Sequence, residues 1–234
     1  MGVLDNIAIC IHMLWSRLKV RSPFIRALKS LEKTQADVLM RILRDNKKTE
    51  FGKKYGLSEI SSVSEFRNQV PIHDYDDLEP YIKRQQEGHR SLTTEAPVYY
   101  ARTSGTTGSY KDIPLTESGI NQIKHFQKQL AYSLWSQTDF FRGTILGFSS
   151  PRFEGKLSNG IPYGSTSGAI YDSLSSLFKK KLAIPSEAFD LNDVESKYEV
   201  YALSALAHDS VTGVSSVNPS SLLKVCTLIE ENAV

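Results

Sequence analysis

Residues 103–111 combine hydroxyl side chains, two glycines and a lysine in one short segment. Their order is Thr103-Ser104-Gly105-Thr106-Thr107-Gly108-Ser109-Tyr110-Lys111. Small residues let the backbone curl so that several N–H groups face one anion, while hydroxyls add donors and lysine adds a positive charge. A polar surface hairpin is the usual alternative for a Gly/Ser/Thr cluster. The order of the residues favours a loop that binds a polyphosphate.

Two familiar nucleotide loops do not fit this segment. A Walker loop needs four residues between its glycines and a lysine directly after the second, but Gly105 and Gly108 lie too close and Lys111 comes too late. A dinucleotide fingerprint fails as well, because no Gly-x-Gly-x-x-Gly opens a helix. The segment resembles instead the first phosphate loop of the adenylate-forming enzymes. It departs from them at Tyr110 and Asp112, where a proline and a glycine are usual.

The elements that must position this loop are short strands at 98–102 and 113–115. Thr116 is then predicted to cap a helix that runs to about Gln137. One face of that helix carries Ile120, Ile123, Phe126, Leu130 and Leu134. His125 lies beside this face with no partner placed for it, which favours a surface or core-edge position over a catalytic one.

Two helices are predicted before the loop, because apolar residues recur at spacings of three and four. The first runs from Asp5 to about Val20, and the second starts at Pro23, which suits a first helical turn. Their predicted core faces comprise Ile7, Ile11, Leu14 and Leu18 in the first helix and Phe24, Leu28, Leu31, Val38 and Ile42 in the second. Further on, Asp74 or Asp76 is predicted to cap a helix that Gly88 ends, which explains the acidic cluster there better than a metal site does.

The last third of the chain alternates between strand and helix patterns. A strand at 143–148 and one at 211–217 enclose helical segments at 173–181 and 191–208, the latter capped by Asp190, and a terminal helix begins at Pro219. Residues 155–168 form a Gly/Ser-rich loop that either lines an acyl-substrate pocket or is simply flexible. The alternation predicts an α/β protein with N-terminal helices followed by a mainly parallel sheet flanked by helices.

Composition excludes several classes of protein. The chain has 234 residues, of which 40% are hydrophobic and 23% charged, as in a globular protein. A net charge of +2 argues against a nucleic-acid partner, although 15–54 is basic and 55–100 acidic. Residues 7–15 are too short to cross a bilayer, so no membrane partner is expected and a cytoplasmic protein is predicted. Cys10 and Cys226 are interpreted as buried thiols in a reducing compartment.

A more specific resemblance comes from several blocks in a fixed order. The first is Asn46 with Thr49-x-Phe51-Gly52-x-x-Tyr55-Gly56, and the second is Phe66-Arg67-x-x-Val70-Pro71-Ile72-x-x-Tyr75-x-x-Leu78-x-Pro80-Tyr81-Ile82. The third is Thr103-Ser104-Gly105-Thr106-Thr107-Gly108 followed by Lys111-x-Ile113-Pro114-Leu115-Thr116. Together they resemble the auxin-responsive-promoter family of acyl-acid amido synthetases, which belongs to the adenylate-forming superfamily.

The resemblance implies an ATP-dependent ligase that adenylates a carboxylic acid and transfers the acyl group to an amino acid, with Mg²⁺ on the phosphates. The phosphate contacts would be Thr103, Ser104, Gly105, Thr106, Thr107, Gly108 and Lys111, with Lys111 also catalytic. The implied organisation is a helical segment at 1–50 packed on a partial adenylation domain at 51–234.

Family members are longer, so the resemblance also implies an N-terminal portion that folds but does not complete catalysis alone. Two alternatives stay open. One is an acyl-CoA or other carboxylate-activating ligase with a different acceptor. The other is a non-catalytic binding module in which the basic helices contact a partner and the nucleotide loop is vestigial. The oligomeric state is open as well.

Overall fold

The computed structural model describes residues 3–103, 110–191 and 193–232. The chain divides into two compact units. Unit 1 comprises Met1–Arg21, Gln122–Phe153 and Gly164–Val234, and unit 2 comprises Ser22–Asn121 and Glu154–Tyr163. The division near residue 50 that the resemblance implies stays a prediction.

Unit 2 begins with helices and continues into a hairpin. The helices are α2 (Ser22–Leu28), α3 (Leu31–Asn46), α4 (Glu50–Lys54), α5 (Val63–Gln69) and α6 (Tyr75–Gln86), and the hairpin strands are β1 (Pro97–Thr103) and β2 (Lys111–Thr116). Leu43, Leu57 and Ile60 form its buried cluster. The predicted cap of α6 is confirmed, because Asp74 and Asp77 make a reciprocal capping box. Gly88, at a φ of 92°, follows the end of this helix as predicted.

The sheet around the loop differs from the predicted parallel arrangement. Strands β4 (Gly155–Lys156) and β5 (Pro162–Gly164) complete a four-stranded sheet in the order β2-β1-β5-β4. The pairs β1–β2 and β4–β5 are antiparallel. The physical reason is the connection, since residues 104–110 and 157–161 are too short for the crossover that parallel neighbours need.

Unit 1 carries the parallel pairing, so the α/β class is confirmed. Its strands β3 (Thr144–Gly147) and β6 (Val211–Ser215) pair in parallel. The helices around them are α1 (Val3–Ser16), continued by a π-helical stretch Arg17–Arg21, α8 (Thr166–Ser173), α9 (Ser176–Lys179), α10 (Val194–Leu206) and α11 (Pro219–Asn232), with a 3₁₀ turn at Ser186–Asp190. The 21-residue α7 (Glu117–Gln137) follows β2. The main core cluster includes Leu146, Phe148, Ile184, Tyr201 and Val225.

The predicted core face of α1 is wrong. Ile11 is 64% exposed, and Ile7, Leu14 and Leu18 are exposed as well. The buried side chains are Ile9, Met13, Ser16 and Val20. Because α1 is apolar almost all round, the spacing of three and four fits either face, and packing inside unit 1 selects the other one.

Several smaller predictions also need correction. The predicted stripe of the second helix, including Phe24 and Ile42, is exposed, whereas Leu43 is buried. Helix α10 starts later than predicted and is capped by Asp193, whose carboxylate accepts the Ser196 N–H, instead of Asp190. Cys10 and Cys226 are exposed free thiols because their neighbours Ile9 and Val225 take the inward positions. Within the described residues, no helix is long and apolar enough to span a membrane.

Candidate functional site

The β1–β2 hairpin places the two ends of the Ser/Thr/Gly segment side by side. Thr103 and Lys111 are register partners, so the chain leaves β1 and returns to β2 at adjacent positions. Backbone pairing therefore brings the predicted threonine and lysine together. The other predicted phosphate contacts, namely Ser104, Gly105, Thr106, Thr107 and Gly108, lie outside the described residues.

Lys111 lies against an aromatic ring supplied by α6. Its Nζ is 5.0 Å from the centroid of the Tyr75 ring, a cation–π contact. The Tyr75 hydroxyl accepts the backbone N–H of Asp112 at 2.9 Å. Burial raises the pKa of Tyr75, so the ring stays a neutral phenol at physiological pH. Tyr75 thus contacts both the side chain of the predicted lysine and the backbone of the next residue.

An ion pair joins the two strands of the hairpin one residue away from Thr103 and Lys111. The Asp112 carboxylate accepts from Arg102 Nε at 2.8 Å and from its Nη2 at 3.1 Å. The side chains are only 19% and 16% exposed. The guanidinium also lies 3.6 Å from the centroid of the Tyr163 ring on β5 and 5.5 Å from that of Tyr110. The hydrogen bond that Arg102 donates to the Asp112 carboxylate is the largest cause that raises the pKa of Arg102.

Sequence reasoning missed this ion pair. From the sequence, Asp112 is only a departure from the usual glycine, and Arg102 has no predicted role. The opposite charges at positions 102 and 112, one residue before Thr103 and one after Lys111, could have predicted this ion pair. A hairpin makes those two positions cross-strand neighbours. Tyr163 gave no such signal because its strand comes some sixty positions later, at Pro162–Gly164.

The Gly/Ser-rich segment at 155–168 is more ordered than predicted. It contains β4 and β5, and Ser165 caps α8 by accepting the Gly168 N–H at 2.9 Å. Its Tyr163 stacks on Arg102. The segment therefore supports the hairpin in unit 2 and starts a helix in unit 1, in place of forming one open loop.

Unit 1 contains a separate apolar cavity of about 490 Å³. Its walls are mainly hydrophobic, and they come from α1, α7, α8, β3, β6 and the segments that follow α7 and α8. The aromatic and aliphatic lining includes Met13, Leu130, Leu134, Phe140, Phe141, Ile145 and Phe178. Apolar walls with a few polar groups are typical of small-molecule sites.

The polar groups of this cavity are mostly cationic or neutral donors. His12, Lys124, Gln127 and Lys128 line it. Burial, and secondarily the charge of Lys128, lowers the pKa of His12, so its imidazole is neutral at pH 7. The cavity can therefore surround an apolar body and attract an anionic group.

A metal site finds no support among the described side chains. Within residues 3–103, 110–191 and 193–232, no three His, Cys, Asp or Glu side chains are grouped so that they could hold an ion. The acidic cluster near Asp74 serves as the α6 cap. His125, which the sequence placed beside the α7 stripe, is exposed.

Solved structures of acyl acid amido synthetases share this fold. A GH3.15 acyl acid amido synthetase superposes with a TM-score of 0.75 at 24% identity, covering 90% of this chain and 38% of that one. A structure of AtGH3.15 in complex with 2,4-DB gives a TM-score of 0.71 at 26% identity, covering 86% and 36%. The chain thus has the fold of the N-terminal part of an acyl acid amido synthetase.

The model of the GH3 family N-terminal domain matches residues 21–234, and the chain belongs to the GH3 family. Curated relatives include indole-3-acetic acid-amido synthetase GH3.2 of Arabidopsis thaliana, 27% identical over 89% of this chain and 41% of that protein. Another is jasmonoyl-L-amino acid synthetase JAR6 of Nicotiana attenuata, 27% identical over 91% and 38%. The chain spans about two fifths of the length of these relatives.

Proposed function

We propose that this chain is the N-terminal part of an ATP-dependent acyl-acid amido synthetase. The observation that carries the proposal is the hairpin that sets Thr103 opposite Lys111 at the ends of the Ser/Thr/Gly segment. The similarity to amido synthetases supports the amide-forming outcome over transfer to coenzyme A. Two free, exposed thiols are compatible with a reducing, cytoplasmic location.

The proposed reaction has two steps. A substrate carboxylate attacks the α-phosphorus of ATP, which forms a mixed anhydride and releases pyrophosphate. The amine of an amino acid then attacks the acyl carbon, giving the amide, AMP and a proton. Negative charge accumulates on the phosphates in the first step, so a fixed ammonium such as that of Lys111 stabilises it more than water does.

Mg²⁺ would neutralise part of this charge when bound to the phosphates. Thr103 and Lys111 would contact phosphate oxygens directly, together with the predicted contacts at 104–108.

We assign the apolar cavity of unit 1 to the acid substrate. Its hydrophobic walls fit an aromatic or aliphatic body, and Lys124 and Lys128 attract a carboxylate. The volume of about 490 Å³ is in the range of sites for small organic molecules. The nucleotide and the acid would thus depend on different units of the chain.

Nucleotide binding by the 234-residue chain tests the proposal. We expect a fluorescent ATP analogue to bind and Lys111→Ala to weaken its binding by at least about ten-fold, since charge-assisted phosphate contacts contribute strongly. Lys48→Ala removes an exposed lysine of the same unit and serves as the matched control. Equal binding by both variants, or no binding by the unchanged chain, favours the non-catalytic module.

A further inference from the structure

Arg102, Asp112 and Tyr75 form a connected group behind the phosphate loop, here called the hairpin clasp. We propose that the hairpin clasp is a positioning device that holds the Lys111 ammonium in place for a phosphate. Its role in binding rests on the proposed function, whereas its geometry can be measured without any nucleotide.

The first part of the hairpin clasp is the ion pair between Arg102 and Asp112, which neutralises a carboxylate beside the proposed phosphate site. Asp112 follows Lys111 directly, and a free carboxylate there would repel phosphate and compete for the lysine. The two bonds from Arg102, at 2.8 and 3.1 Å, occupy both carboxylate oxygens. Low exposure of both side chains limits screening by water. Tyr163 stacks on the guanidinium and fixes its plane.

The second part of the hairpin clasp is Tyr75, which connects Asp112 to Lys111. Tyr75 accepts the Asp112 N–H, which fixes the ring relative to the β2 backbone. The same ring lies 5.0 Å from Lys111 Nζ. Within the described ranges, Lys111 forms no ion pair with a carboxylate. The ring therefore restrains the ammonium while leaving its charge available to an anion.

A restrained lysine loses less freedom on binding than a free one. Ordering one long side chain costs enough to change an affinity by about two- to ten-fold. We therefore expect that loosening the clasp weakens nucleotide binding by this factor and acts only through Lys111. A residue that merely supported the fold would weaken binding whether or not Lys111 is present.

The geometry is tested first, on the nucleotide-free chain, by NMR of ¹³C-methylated lysines. Lys111→Arg identifies the Lys111 signal, which the Tyr75 ring should shift upfield. Tyr75→Leu should abolish this ring-current shift, and Tyr75→Phe, which keeps the ring but loses the bond from the Asp112 N–H, should leave part of it. Arg102→Gln should reduce the shift, because the freed Asp112 carboxylate competes for the ammonium. Asp76→Asn, an exposed carboxylate beside Tyr75 in the sequence, should leave it unchanged. An identical Lys111 signal in the unchanged chain and Tyr75→Leu would overturn the proposal.

Binding of the fluorescent ATP analogue then tests the role. Tyr75→Leu and Arg102→Gln should each weaken binding by about two- to ten-fold, and Tyr75→Phe should restore part of the loss from Tyr75→Leu. Adding Asp112→Asn to Arg102→Gln should recover the binding, because it removes the freed carboxylate. In a Lys111→Ala background Tyr75→Leu should add no further loss, because the ring acts on the anion only through the lysine. An additional loss in that background identifies a purely structural role and contradicts the proposal.

The two experiments separate the clasp from the proposed function. If the unchanged chain binds no nucleotide but shows the ring-current shift, the nucleotide assignment fails and the clasp geometry stands. If it binds nucleotide without the shift, the function stands and the clasp is refuted. Melting temperatures of all variants identify any that fail to fold, and Tyr75→Phe and Arg102→Gln are the mild replacements that keep the test decisive.

Discussion

Thr49 and Gly52 belong to the first of the sequence blocks that resemble the family, and each has a definite structural role. The Thr49 hydroxyl donates to the Asn46 carbonyl at 2.8 Å and accepts the Gly52 N–H at 2.9 Å, which caps α4. Thr49 is fully buried, so these bonds are protected from water. The turn brings the Gly52 α-carbon so close to the preceding backbone that an added Cβ would lie 2.2 Å from the Asn46 oxygen.

This close approach predicts that Gly52→Ala is destabilising. A new methyl group would clash with backbone atoms, which cannot easily move away. We therefore expect a loss of about 1–3 kcal/mol in the free energy of unfolding. Gly119→Ala on α7 is the matched control, because its Cβ would make only an ordinary 3.4 Å contact with Thr116 Oγ1. Alanine favours the helix there by roughly 1 kcal/mol. Urea unfolding measures both, and equal effects of the two substitutions would refute the explanation.

The sequence predicted where the two ends of the loop lie better than it predicted what supports them. Thr103 and Lys111 were identified from their spacing, and strand register places them side by side. The stacking of Arg102 on Tyr163 could not be predicted, because it depends on a strand far along the chain whose place in the sheet no local pattern encodes.

At the scale of elements, α1 shows where periodicity alone is insufficient. Most of the predicted helices and strands begin or end within a few residues of prediction. The exceptions include α4, α5 and α8, which were not predicted, and the segment predicted as one helix at 173–181, which contains only the end of α8 and the short α9. The buried face of α1 did not follow. Tertiary contacts decide it: Asp5 binds Lys180 at 3.0 Å and the His12 ring meets Phe178 edge-on at 5.5 Å.

The orientation of α1 predicts unequal costs for two similar truncations. Met13→Ala should lower the free energy of unfolding by about 2–5 kcal/mol, since Met13 is completely buried. Ile11→Ala should change it by less than about 0.5 kcal/mol, since most of its surface already meets water. Thermal and urea unfolding of the two variants gives the comparison. A larger loss for Ile11→Ala would restore the face that the sequence first favoured.

At the scale of the whole molecule, the two proposed binding functions fall in different units. The hairpin with Lys111 belongs to unit 2, and the apolar cavity belongs to unit 1. Each unit has its own buried cluster, so a side-chain change in one need not disturb the other. Substitutions in the two sites should therefore have separable effects on the two ligands.

Ala131→Phe is the substitution that tests this separation. Ala131 lines the cavity on α7, and a phenyl ring there would occupy space that the acid needs. We expect binding of an aromatic carboxylic acid probe such as 4-phenylbutyrate, measured by calorimetry, to weaken by at least about ten-fold, while binding of the ATP analogue is unchanged. Lys111→Ala should show the reverse pattern, and Asn121→Phe, an exposed position of the same helix, should affect neither.

Because the chain spans about two fifths of its relatives, we further expect these binding steps to occur without adenylation. The purified chain should show no acid-dependent ATP–pyrophosphate exchange even when both ligands are bound. Exchange above background, abolished by Lys111→Ala and by Ala131→Phe, would instead mean that the groups needed for acyl-adenylate formation are already present in these 234 residues.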